Sequence, residues 1–270
     1  MNKYTFIPIL LASANPSRTS LFTITRCCRS GTHSTAHSGI RAFTTAQGLM
    51  AQQRRILVCS IGNPGKYLNT RHSAGHTLSN LLQETLAFPP FRKNTSYGGD
   101  VSVGRFDSTY TLFQSPSLMN ISGGSVKKAW KAFMAELSNE EKGNALLVVL
   151  HDELEAALGR VKVKKGGSAK GHNGIVSCAE SLGSKVGAVL PLTTLEGGKG
   201  GRGEGEEAND ETHSQQDFCR IGIGIGRPDS RDRDTVSEYV LGKMTSYEKD
   251  TLKMESLPEV LAALEKLSAV

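Results

Sequence analysis

The first 53 residues contain no aspartate or glutamate. They carry Lys3, Arg18, Arg26, Arg29 and Arg41 among many serines and threonines. A segment free of acid, rich in Ser, Thr and Arg, and without turn-bounded strands has the composition of an organelle transit peptide, not of a packed fold. Residues 1–53 are therefore expected to be a disordered leader, and Arg41-Ala42-Phe43 before Thr44-Thr45 resembles a mitochondrial processing site. The alternative is a plain disordered tail or a true start at Met50, with a cytoplasmic protein. Long apolar runs are scarce as well. Phe6 to Ala12 is short and interrupted by Pro8, which excludes a membrane span by length and weakens a secretory reading.

Cysteine chemistry is poorly supported. None of Cys27, Cys28, Cys59, Cys178 and Cys219 stands in a Cys-x-x-Cys pair. Cys59 and Cys219 fall in predicted buried strands and Cys178 in a predicted helix, so they read as free thiols packed as small hydrophobes in a reducing compartment. Gly-x-Ser-x-Gly is absent, and no serine or cysteine is well placed as a nucleophile. Direct attack by water is the economical reading.

What remains is a globular composition, 38% hydrophobic and 21% charged over 270 residues. The net charge of +6 is unevenly spread. The five leader cations account for +5 of it, and the segment 193–216 (six acids, two bases) contributes −4, so the remaining body is near +5. That balance favours a polyanionic partner. The segment 193–216 is rich in Gly and Glu and nearly free of apolar side chains, and is expected to be a disordered surface insertion.

The body alternates strand and helix signals. Ile56 to Ile61 reads as a buried strand, and Gly62-Asn63-Pro64-Gly65 breaks it into a tight loop that leads to a helix from His72 to Ala87. Val101–Phe106 and Tyr110–Phe113 read as a hairpin. Ile121–Leu137 is helical, and Ala145–Leu150 is a strand buried on both faces. Arg160–Lys165 is a strand with a basic face, Asn173–Leu182 a helix, and Phe218–Ile225 a buried strand. Thr245–Leu267 is a helix kinked near Pro258. This order predicts a single α/β domain over 54–270, with a mixed, mainly parallel sheet covered by helices on both faces.

Four polar motifs stand at the ends of these elements. They contain Asn63 with His72, Asn120, Asp152, and Asn173. In a parallel sheet such connections open on one edge, where one imidazole, one carboxylate and three amides could meet. A neutral His beside a carboxylate suits general-base work, and amides orient water and stabilise an oxyanion. Each residue also has a plainer reading as a cap or turn residue. His72 and His76 lie four apart, but no acidic third ligand is nearby in sequence, so no metal is expected. Gly222-Ile-Gly-Ile-Gly lies inside a strand and reflects close packing, not a dinucleotide loop. For Lys162, Lys164, Lys165 and Lys170, phosphate contact and ordinary solvated surface fit equally.

Taken together and in order, the motifs Gly62-Asn63-Pro64-Gly65 with Thr70-Arg71-His72, Leu118-Met119-Asn120-Ile121-Ser122-Gly123, His151-Asp152-Glu153-Leu154 and Gly166–Gly174 resemble the bacterial-type peptidyl-tRNA hydrolase family. The resemblance spans about 54–267 apart from the acidic insertion. It implies hydrolysis of the ester between a peptide and the 3′ end of tRNA, as part of translation, without metal or cofactor; a monomer with no membrane partner is expected. It implies that His72 is the base and that Asp152 stabilises it. Asn63 would distinguish a blocked peptidyl group, Asn120 and Asn173 would position substrate and water, and Tyr67 and Leu118 would line the site. Ser73 departs from an asparagine that often follows the His, and Leu118 from a phenylalanine. The family's two-point clamp on the tRNA 5′ phosphate is matched by Lys164 at one point and by Gly222 at the other, with Arg220 two residues earlier as a substitute. A non-catalytic organelle RNA-binding protein of the same fold is the alternative, and a hydrolase of another ester or amide is a third reading.

Overall fold

A computed structural model describes residues 53–105, 108–166, 168–183 and 218–269. Residues 1–52, with Cys27 and Cys28, and the acidic insertion lie outside the described residues. Seven strands form one sheet: β1 (Ile56–Ser60), β2 (Arg92–Asn94), β3 (Gly99–Val103), β4 (Tyr110–Gln114), β5 (Leu146–Glu153), β6 (Val161–Lys165) and β7 (Cys219–Gly224). Their spatial order is β2-β3-β4-β1-β5-β7-β6. The central strands β4, β1, β5 and β7 are parallel, while β2, β3 and β6 add antiparallel edges. This is the expected mixed sheet.

The helices are α1 (Ala74–Thr85), α2 (Ser122–Glu136), α3 (Asn139–Gly143), α4 (Asn173–Leu182), α5 (Arg233–Leu241), α6 (Ser246–Thr251) and α7 (Leu257–Ser268). Side chains alternate across a strand, so β1 feeds two cores. Leu57 and Cys59 pack with Val126, Ala129, Trp130 and Phe133 of α2 and with Ile175 and Cys178 of α4. Ile56 and Val58 pack with Leu78 and Leu82 of α1 and with Val260 and Leu264 of α7. A strand buried on both faces has no polar alternation, which is why its sequence is one apolar run. No helix among the described residues is long and apolar enough to cross a membrane.

Three elements had no clear sequence signal. β2 is short, polar and largely exposed. The helix α3 rests on a capping box between Ser138 and Glu141 and buries nothing. The helix α5 also buries no side chain fully; Asp232 caps it, and the Tyr239 hydroxyl donates to the Ile225 carbonyl at 2.6 Å. The expected kink near Pro258 takes the form of a π turn, Leu252–Ser256, between α6 and α7. Proline lacks an N–H and its ring crowds the carbonyl one turn back, so the wider turn forms just before it.

The α2–α4 contact positions two of the amides. At Gly123 a Cβ would lie 1.9 Å from the Ser177 carbonyl oxygen of α4. Gly123→Ala is expected to cost about 1–3 kcal/mol or more by overpacking. It should also move the starts of α2 and α4, next to Asn120 and Asn173, and so lower activity at temperatures where the variant is still folded. Thermal unfolding and turnover measured side by side check this; a variant with wild-type Tm and turnover contradicts it.

Candidate active site

β5 runs further than its apolar stretch. Ser60, the last residue of β1, pairs with Leu150, and β5 continues through His151, Asp152 and Glu153 along β7. The chain leaves β1 on one side for β4 and later crosses to β5 on the other. That is the switch point where open α/β sheets bind ligands beyond the strands' carboxyl ends. Asp152 therefore projects past the end of β1 into this crevice.

The start of α1 comes to meet it. A Cβ on Gly75 would lie 2.7 Å from the Leu150 carbonyl oxygen and 2.8 Å from that of Ile61, so only glycine lets the helix rest on both strand ends. Ser73 is buried and ties the preceding loop. Its Oγ donates to the Tyr67 carbonyl at 2.8 Å and accepts from the Asn63 N–H at 3.0 Å. The serine at this position thus closes the loop that bears Asn63, Tyr67 and His72.

His72 Nδ1 lies 2.9 Å from both carboxylate oxygens of Asp152. A carboxylate can only accept, so Nδ1–H donates and Nε2 keeps its lone pair. His172 Nε2 is 3.0 Å from Asp152 Oδ1. His172 also caps α4 by accepting the Ile175 N–H at Nδ1, 3.3 Å away, so its proton sits on Nε2 and points at Asp152. His151 donates from Nδ1 to the Asp152 carbonyl at 2.7 Å and stands edge-on to His172, with ring centroids 4.9 Å apart.

These contacts set the charges. Burial pushes the Asp152 pKa up, but His172 and His72 outweigh it by charge and hydrogen bond and hold the carboxyl well below its usual range. Burial lowers the His72 pKa, and the charge and hydrogen bond of Asp152 more than offset this, leaving it above the ordinary imidazole value. Burial, helped by the charge of His172, pushes His151 down to about 3, so it stays neutral. The site thus presents an ionised carboxylate behind an imidazole whose Nε2 can take a proton.

The amides surround this pair. Asn63 is buried, and its Oδ1 accepts the Met119 N–H at 2.8 Å, which leaves its NH₂ without a partner among the described residues. Asn63, Tyr67, His72, Asn120, Asp152 and Asn173 all line one cleft of about 860 Å³. Asn120 and Asn173 are exposed in it. Leu118, at 54% exposure, and Ile121, at 64%, form an apolar edge near Asn120. The fold thus brings together His72, Asp152, Asn63, Tyr67, Leu118, Asn120 and Asn173.

Two residues beyond the expected set belong here, His172 and His151. Both stood inside quoted motifs, and His172 directly precedes a predicted helix, a capping position. That position was the only signal that its ring is held in place.

Lys164 and Arg220 are cross-strand neighbours and line the cleft. Lys164 Nζ, however, bonds Glu153 Oε2 at 2.7 Å. Arg220 is only 4% exposed, and its guanidinium donates to the carbonyls of Gly166 at 2.6 Å and Ser168 at 3.2 Å. Arg220 thus forms a buried tie to the loop after β6, because β7 lies inside the sheet, between β5 and β6. The glycines of β7 are close-packed as expected: a Cβ on Gly224 would lie 2.0 Å from the Ala157 carbonyl oxygen.

His76 plays no part beside His72. It is 2% exposed, its Nδ1 is 2.8 Å from Ser60 Oγ, and burial lowers its pKa to about 4. A different trio, His72, Asp152 and His172, places one ligand-type atom each within 4.8 Å of one another. In the hydrogen-bonded state both imidazoles turn N–H groups toward the carboxylate, so a cation there would have to displace two protons.

An α/β sheet with a carboxylate-backed imidazole and convergent amides at its switch point fits a hydrolase. The chain belongs to the peptidyl-tRNA hydrolase family: a sequence model of that family matches residues 57–188 and 192–269. A probable peptidyl-tRNA hydrolase of Schizosaccharomyces pombe is 33% identical over 213 residues, covering 78% of this chain and 82% of the relative. The peptidyl-tRNA hydrolase of Bartonella henselae is 30% identical over 212 residues, covering 78% and 85%. The crystal structure of an Acinetobacter baumannii peptidyl-tRNA hydrolase shares the fold with a TM-score of 0.51, at 24% identity, over 82% of this chain and 98% of that one.

Proposed function

We propose that this chain hydrolyses the ester bond of peptidyl-tRNA with His72 as general base, acting as a monomer without a metal. The observation that carries the reading is the bond from His72 Nδ1–H to the buried Asp152 carboxylate, which leaves Nε2 unprotonated in the cleft. Nε2 takes a proton from water held by Asn120 and Asn173. The hydroxide attacks the ester carbonyl carbon, and the oxyanion that forms accepts hydrogen bonds from cleft amides. The bond from that carbon to the ribose oxygen then breaks, and the imidazolium gives its proton to the leaving ribose oxygen, which departs as a hydroxyl. Asp152 stabilises the imidazolium meanwhile. Asn63, with its amide oriented by Met119, is positioned to recognise the blocked amino group of the substrate. A protein that only bound RNA would need no such base and carboxylate.

The test is turnover of N-blocked against free aminoacyl-tRNA, before and after exhaustive chelation. Hydrolysis of the blocked substrate alone, unchanged by chelation, is the expected result. Equal hydrolysis of both substrates would overturn the assigned specificity. Activity lost on chelation and restored by a stoichiometric divalent cation would reassign His72, Asp152 and His172 as ligands. The acid-free leader further supports a mitochondrial location; import and cleavage of the full chain by isolated mitochondria tests it.

A further inference from the structure

The cleft holds more cations than the chemistry at His72 uses. Lys164, Lys170, Arg220, Arg227, Arg231 and Arg233 all line it. Three of them are already engaged by the protein. Lys164 is paired with Glu153, Arg220 donates to loop carbonyls, and Arg227 is paired with Glu155. The side chains of Lys170, Arg231 and Arg233 are exposed and make no hydrogen bond or ion pair among the described residues. An exposed, unpaired cation gains counterion release on meeting a phosphate, whereas a paired one must first give up its partner.

Backbone geometry at Lys170 points the same way. Its φ is +49°, a conformation that strains any residue with a Cβ, and its neighbour Gly171 is also at positive φ. A lysine held where glycine would relieve strain suggests a use for the side chain. β7 has no room for another cation at Gly222, where a Cβ would lie 2.9 Å from Glu153 Cβ.

We infer that Lys170, Arg231 and Arg233 form an arc that grips the phosphate backbone of the RNA substrate. Lys170 lies two residues before His172, on the loop between β6 and α4. Arg231 and Arg233 lie at the start of α5, and Val236, Ser237, Val240 and Leu241 of α5 continue the wall of the same cleft. The arc and the base therefore share one cleft. The inference rests on the reading that the substrate is a tRNA ester.

The test is binding of deacylated tRNA to the full chain over a range of salt concentrations, which requires no hydrolysis. Arg231→Ser with Arg233→Ser should lower the slope of log affinity against log salt by about two, at roughly 0.9 per lost phosphate contact. Lys170→Gly should lower it by about one, with a Tm at or above that of the parent protein. Lys127→Ser with Lys131→Ser removes two exposed cations of α2 that lie outside this cleft, and should leave the slope unchanged. A parental slope in the double-arginine variant, or an equal loss in the α2 variant, overturns the inference. A slope lost together with Tm in Lys170→Gly removes Lys170 from the arc. If the parent protein binds tRNA but hydrolyses no peptidyl ester, the proposed function fails while the arc stands.

Discussion

His72→Ala should lower kcat on N-blocked aminoacyl-tRNA by ~10²–10⁴, the usual worth of a positioned general base, and leave tRNA affinity nearly unchanged. The substitution removes the imidazole that pairs with Asp152 through Nδ1 and lines the cleft. It should not unfold the protein, because the buried carboxylate keeps a second donor. His172 Nε2–H still bonds Asp152 Oδ1 at 3.0 Å. Steady-state kinetics and a tRNA-binding titration on the same preparation separate the two effects. Near-normal turnover would remove His72 from the role of base, and a parallel loss of binding would make it a structural residue.

Asp152→Asn is expected to fall in the same range, about 10²–10⁴ in kcat, for a different reason. A carboxylate accepts from both His72 Nδ1–H and His172 Nε2–H. An amide oxygen in the Oδ1 place can accept from both rings. The NH₂ then faces His72 Nδ1–H, which lies 2.9 Å from the other carboxylate oxygen, so His72 must shift, flip or change tautomer. The pH profile should move as well. Activity needs neutral His72, so in the parent protein the rate is lost as pH falls through a pKa held above 6.5. Without the charge of Asp152, burial alone acts on His72 and lowers its pKa, so the ascending limb should shift to lower pH. That limb is an apparent value of the coupled cluster, and its direction of movement is the measurement. A profile that keeps its position while kcat falls would mean that Asp152 orients the ring without tuning it.

Most of the scaffold could be read along the chain. The helix Asn173–Leu182 has the expected limits, and the buried strands around Val58, Val148 and Ile221 were recognisable as apolar runs. Burial imposes a period on nearby residues, so the signal is local. β2, α3 and α5 were missed because they bury little and leave no period to read. The site was legible as a set of motifs, not as a geometry. The ring of His172 caps α4 and donates to Asp152, a pairing across chain segments that no local pattern encodes. Arg220 looked available for phosphate because a strand's residues alternate. Its burial follows from β7 inserting between β5 and β6, against chain order.

The sequence by itself determined most of the elements, the two-sided burial of the central strands and the family. These follow from hydrophobic period and from motifs a few residues long. The tertiary structure alone decided that β5 outlasts β1, so that Asp152 reaches His72 across 80 residues of chain. It also decided which cations are held by Glu153, Glu155 and backbone carbonyls. Strand register and charge pairing join segments distant in the chain, and each donor or acceptor has few partners to give. Composition counts such groups, but only the fold says which are already engaged.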